Sequence, residues 1–111
     1  MKVIRHEDIE KDLKNLRRFP APQESLEAWE RLFCSKGSSE TPAIDAFPGF
    51  GECKMYKGRV IALQENVGKA KGYRVIFQFI DENCYKIIVF SRHGIYNSEQ
   101  NLIDIIKSRI S

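Results

Sequence analysis

With 111 residues, 42% of them hydrophobic and 30% charged, the chain has the composition of one soluble globular domain, residues 1–111, with room for a single modest core. No apolar run approaches the ~20 residues of a membrane-crossing helix. The three cysteines, Cys34, Cys53 and Cys84, are odd in number and lack CxxC spacing, so neither a disulfide framework nor a zinc site is indicated. The net charge of +3 names no partner, but it is unevenly spread. Residues 1–52 carry eight Lys/Arg against ten Asp/Glu, residues 53–75 carry six against Glu65 alone, and residues 76–111 balance four against four.

Met1 to Arg5 fits a short first strand. Ile9, Leu13, Leu16 and Phe19 then recur at helical spacing among charged residues, predicting an amphipathic helix over about Glu7 to Arg18 with His6 and the charges in water. A charged helical pattern at this position is not a secretory leader, and the expected compartment is the cytoplasm. Pro20-Ala21-Pro22 ends the helix, because proline removes an amide donor and restricts its predecessor. A second helix begins near Gln23, with Leu26, Trp29, Leu32 and Phe33 on one side, and the short proline turn predicts that the two pack as an antiparallel hairpin.

Ser35 to Gly51 is rich in Gly, Ser and Pro, lacks either period, and reads as an irregular connection anchored by Ile44, Phe47 and Phe50. It contains no phosphate-cradling glycine loop. Cys53 to Lys57 and Arg59 to Val67 are strand candidates with Gly58 as a bend, and Asn66 to Gly72 is a polar, lysine-bearing loop. Tyr73 to Asp81 and Cys84 to Arg92 are dense in β-branched and aromatic residues and are separated only by Glu82-Asn83, the spacing of an antiparallel hairpin. Ser98 can cap a last helix to Ile110, on which Leu102, Ile103, Ile106 and Ile110 form an apolar stripe and Ile105 lies off it.

Arg74 near the start of the first hairpin strand and Arg92 at the end of the second are expected to face each other far from the turn. With Lys69 and Lys71 before them and His93 and Tyr96 after, they suit a phosphate; the plain alternative is strand ends reaching water. Arginine offers a planar fork to two phosphate oxygens, and an unperturbed imidazole titrates near neutrality. Arg92 would be a second clamp or a leaving-group stabiliser, His93 a proton carrier, and Tyr96 a stacking or proton-transfer group. Lys54, Lys57 and Arg59 extend the basic segment along which an RNA backbone would run. Glu65 is the one carboxylate nearby, either a base or a salt-bridge partner. No metal or small-molecule cofactor is called for.

The basic loop Gly68-Lys69-Ala70-Lys71, the run Gly72-Tyr73-Arg74-Val75-Ile76-Phe77, the hairpin, Arg92-His93 and Tyr96 together resemble the RelE/ParE toxin superfamily, most nearly its RelE and HigB branches. PGFGECKMYKGRV and KDLKNLRRF are similar to the strand before the basic loop and to the first helix of that family. The resemblance implies an α+β fold, with an N-terminal helical hairpin packed on a small twisted antiparallel sheet and a C-terminal helix. It further implies the toxin of a type II toxin–antitoxin pair, bound by a cognate antitoxin, that cuts mRNA in the ribosomal A site by metal-independent attack of the 2′-hydroxyl. The alternatives are a ParE-like, non-catalytic inhibitor of DNA gyrase and an inactive protein. The chain departs from the RelE pattern in its short Arg92-to-Tyr96 spacing, in the possible use of Phe90 as the aromatic, and in Ala62, Gln64 and Glu65 where lysines are expected.

Overall fold

The computed structural model describes residues 1–68, 71–92, 94–96 and 98–110. Its elements in chain order are β1 (Lys2–Arg5), α1 (Ile9–Asn15), α2 (Pro22–Glu40), β2 (Ile44–Ala46), β3 (Met55–Val60), β4 (Tyr73–Asp81), β5 (Cys84–Arg92) and α3 (Glu99–Ile110). The strands form one sheet in the order β1-β5-β4-β3-β2. All neighbours are antiparallel except β1 and β5, which run parallel. None of the described helices is long and apolar enough to cross a membrane.

This corrects the expected architecture. The expected first strand is present as β1, but it pairs parallel with β5, so the sheet is mixed, and α2 is a long central element followed by the strands. No N-terminal helical hairpin sits on an antiparallel sheet. The physical reason lies in how each helix spends its apolar face. Ile9, Leu13 and Leu16 of the α1 region, and Leu26, Trp29 and Phe33 of α2, all enter the same core against the sheet, α1 on β5 and α2 across β1 and β3. Neither keeps a second apolar stripe for the other.

α2 also runs further than the glycine- and serine-rich sequence suggests. It bends at Gly37, whose φ of +77° is open to glycine at little cost, and ends where the Thr41 amide and hydroxyl both donate to the Gly37 carbonyl at 3.0 and 2.7 Å. Ile44–Ala46, within the expected irregular connection, pairs with β3. β3 runs straight through Gly58, and residues 61–67 are not strand. Gly58 is needed for close approach: a Cβ there would lie 3.2 Å from Val75 Cγ1 and 3.3 Å from the Trp29 indole.

The sheet separates two cores. On the α1 and α2 side, Trp29 stacks on Phe33 at 4.9 Å between ring centroids, and Phe33 meets Phe77 edge-on at 5.1 Å. On the other side α3 lays Leu102 and Ile106 against Ile76, Ile88 and Val89, beside Phe47, Phe50 and Met55. Ile105, expected off the stripe, packs at the edge of this second core. α3 covers only part of its face, and the part left open holds the candidate site.

A candidate anion-binding cleft

The β4–β5 register decides which side chains can meet. Tyr73 lies opposite Arg92 and Arg74 opposite Ser91, with irregularities between Phe79/Asp81 and Ile76/Phe77. Directly paired residues share a face and successive residues alternate. Arg92 therefore shares the helical face with Tyr73, while Arg74 shares the α3 face with Ser91. The expected convergence of the two guanidiniums does not occur.

Arg92 is committed elsewhere. Its Nη1 and Nη2 donate to Glu65 Oε2 and Oε1, both at 2.7 Å, and both side chains are largely buried. The guanidinium lies 4.1 Å from the Phe19 ring centroid and 5.0 Å from that of Tyr73. The hydrogen bonds from Arg92 hold the Glu65 carboxyl below its ordinary range, and those same bonds raise the Arg92 value against the opposing effect of burial. This fork pins the segment after β3 to the end of β5. Of the two roles weighed for Glu65, the salt bridge is the one formed. Phe90 is buried among the helix-side rings, 5.0 Å from Tyr73, and cannot reach a ligand.

Arg74 stands differently. Pairing across the sheet sets it beside Arg59, with Lys57 one step along the same face of β3. Among the described residues none of these three cations has a carboxylate partner; the Lys57 ammonium lies 5.6 Å from the Phe47 ring centroid. Lys57 and Arg74 line a cavity of about 550 Å³ with Ser91 and Tyr96, bounded on another side by Ser98 and by Glu99 and Leu102 of α3. Arg92 borders it, with its guanidinium bound on the far face. A smaller groove lined by Asp45, Lys57, Arg59 and Arg74 continues along the sheet.

α3 is fixed at this wall by its cap, the Asn101 amide donating to Ser98 Oγ at 3.1 Å. Tyr96 is half-buried against the second core. Burial, followed by the nearby Asp12 carboxylate, pushes its phenol up to about 12, so at neutral pH it is a donor and a ring surface and not a base. Asp12 in turn binds Arg109 at 2.8 and 2.9 Å and accepts the Phe90 amide at 2.9 Å.

The remaining expected site residues are scattered. Lys54 reaches over the Phe79 ring at 5.5 Å, on the helical side. Lys71 is exposed ahead of β4 and does not line the cavity. Lys69 and His93 lie outside the described residues. Sequence reasoning missed Ser91, Ser98 and Glu99. The first was legible, because counting back from a two-residue turn already pairs Arg74 with Ser91 and Arg92 with Tyr73. Among the described residues no cluster of His, Cys, Asp and Glu could hold a metal ion. Comparison with family models, with curated proteins and with solved structures returns no match.

Proposed function

We propose that this chain is a type II toxin of the RelE/HigB kind that binds mRNA in the ribosomal A site and cuts it, with Arg74 as the phosphate-holding group. The observation that carries this reading is the cavity beside α3, where Arg74 and Lys57 face open space without a described carboxylate partner. The mixed sheet departs from the architecture the resemblance implied, so the reading rests on the hairpin sequence and on this cleft.

Attack by a ribose 2′-oxygen on phosphorus builds negative charge on the non-bridging oxygens as the 5′-oxygen leaves. A guanidinium placed there favours the transition state over the ground state. Lys57 adds positive charge along the same face, and the protonated Tyr96 supplies a donor or a surface on which an unstacked base can lie. Arg92 has no part in this chemistry; it holds the fold. The cognate antitoxin would neutralise the protein by covering the cleft.

Inducible expression with mapping of mRNA 5′ ends provides the test. Wild-type protein should arrest growth and leave cuts within codons, and Arg74→Ala should lower cleavage by about 10²–10³, the usual effect of removing one transition-state donor. Growth arrest with intact mRNA would overturn the reading. That outcome favours the second reading, a non-catalytic inhibitor of DNA gyrase, which the commitment of Arg92 to Glu65 supports because it leaves the cavity one guanidinium short of the expected pair.

A further inference from the structure

The cleft has two chemically different walls. The sheet contributes Lys57, Arg74 and Ser91, and α3 contributes Glu99 in its first turn. Glu99 is exposed, is the one carboxylate among the described residues lining this cavity, and makes no ion pair with a described residue. Unneutralised charges of both signs facing one cavity suit a ligand that is anionic at one end and carries hydrogen-bond donors at the other. The volume of about 550 Å³ is that of a small-molecule site and accommodates one nucleotide.

We infer that the cavity takes a nucleotide with its phosphate on the Arg74 and Lys57 wall and its base on the α3 wall, and that Glu99 selects guanine. This rests on the RNA-binding reading above and adds which base it accepts. An ionised carboxylate only accepts hydrogen bonds, through two oxygens side by side. Guanine alone among the four bases presents two adjacent donors, N1–H and the N2 amino group, that match this fork. Adenine and cytosine each set an amino donor beside a ring nitrogen that accepts, and the lone N3–H of uracil sits between two carbonyl oxygens. For those three, one carboxylate oxygen would face an acceptor.

The test is a titration of the ¹⁵N-labelled protein with each of the four 3′-ribonucleoside monophosphates, followed by amide chemical shifts, which detect millimolar binding. The guanine nucleotide should bind at least about fivefold tighter than the others, in line with the discrimination typical of a bidentate contact, and should shift the Arg74, Ser91 and Glu99 amides. Glu99→Gln should erase the preference, because the amide keeps one acceptor and places a donor against the N2 amino group. Asp104→Asn, elsewhere on α3, should retain it. Equal affinity for all four nucleotides, or a guanine preference that survives Glu99→Gln, overturns the inference while leaving the phosphate site standing, provided Arg74→Ala abolishes the binding. No shift with any nucleotide overturns the inference and removes the phosphate site with it.

Discussion

Arg74 and Arg92 sit one register position apart on neighbouring strands, yet their substitutions should fail in different ways. Arg92→Ala removes a fork from Glu65 and a cation from between two rings, at a partly buried site. Breaking this partly buried, charge-assisted fork costs about 2 kcal/mol, which in a domain this size is a fall in Tm of ~10 °C. Thermal unfolding followed by circular dichroism should show that drop for Arg92→Ala and little change for Arg74→Ala. The same pair sets a pH dependence. Because the Glu65 carboxyl is held below its ordinary 4.5 in the folded state, its contribution is complete above pH 4.5 and is lost as the pH falls through the depressed folded value. Wild-type Tm should therefore decline on acidification below pH 4.5, and Glu65→Gln should flatten that part of the profile. The Tyr96 phenol, pushed up to about 12, keeps its proton through the range in which enzymes are assayed. A pH–rate profile should show no limb between pH 6 and 10 that disappears in Tyr96→Phe.

The elements are tied together at the free half of β5. β1 pairs only with Cys84–Ile87, which leaves the amides and carbonyls beyond Ile87 without a strand partner on that side. Asp12 of α1 accepts the Phe90 amide, and Arg109 of α3 donates to the Ile88 carbonyl at 2.9 Å while binding Asp12. A buried ion pair thus closes a sheet edge that would otherwise recruit another strand. Asp12→Ala should cost about 3–5 kcal/mol and release the Phe90 amide to hydrogen exchange well before the amides paired within β4 and β5. This clasp was not legible in the sequence, since it joins positions almost the whole chain apart. The central hairpin was legible to the residue, because β-branched and aromatic density and a two-residue turn are local signals. Which face each arginine takes was also available. The two irregularities in the β4–β5 ladder offset one another, so the register at Arg74 is the one a regular hairpin would give. The side of the sheet that α3 would cover, and hence the wall carrying Glu99, is specified by no local pattern.

For the whole molecule, the consequence is a division of labour between the two faces of one sheet. The helical face holds the larger aromatic core, and its ion pairs serve structure: Arg92 with Glu65, and Arg5 with Glu30 at 2.6 and 2.8 Å. The α3 face keeps Lys57, Arg59 and Arg74 along two neighbouring cavities that share Lys57 and Arg74. A net charge of +3 is too small to draw a polyanion by itself, so binding must come from these local cations. Each phosphate they neutralise releases a condensed counterion, which for single-stranded nucleic acid contributes about −0.7 to the slope of log K against log salt. If all three contact phosphates, the association constant for a short single-stranded RNA should fall with a slope of about −2. Fluorescence anisotropy across a salt series measures it directly. Arg59→Ala, which lies in the groove beyond the nucleotide cavity, should reduce the steepness by about 0.7. Lys54→Ala, on the helical face, should leave the slope as it is. A slope equally sensitive to Lys54 and Arg59 would mean that RNA does not track the α3 face, and the assignment of the cleft would fall even if binding itself were strong.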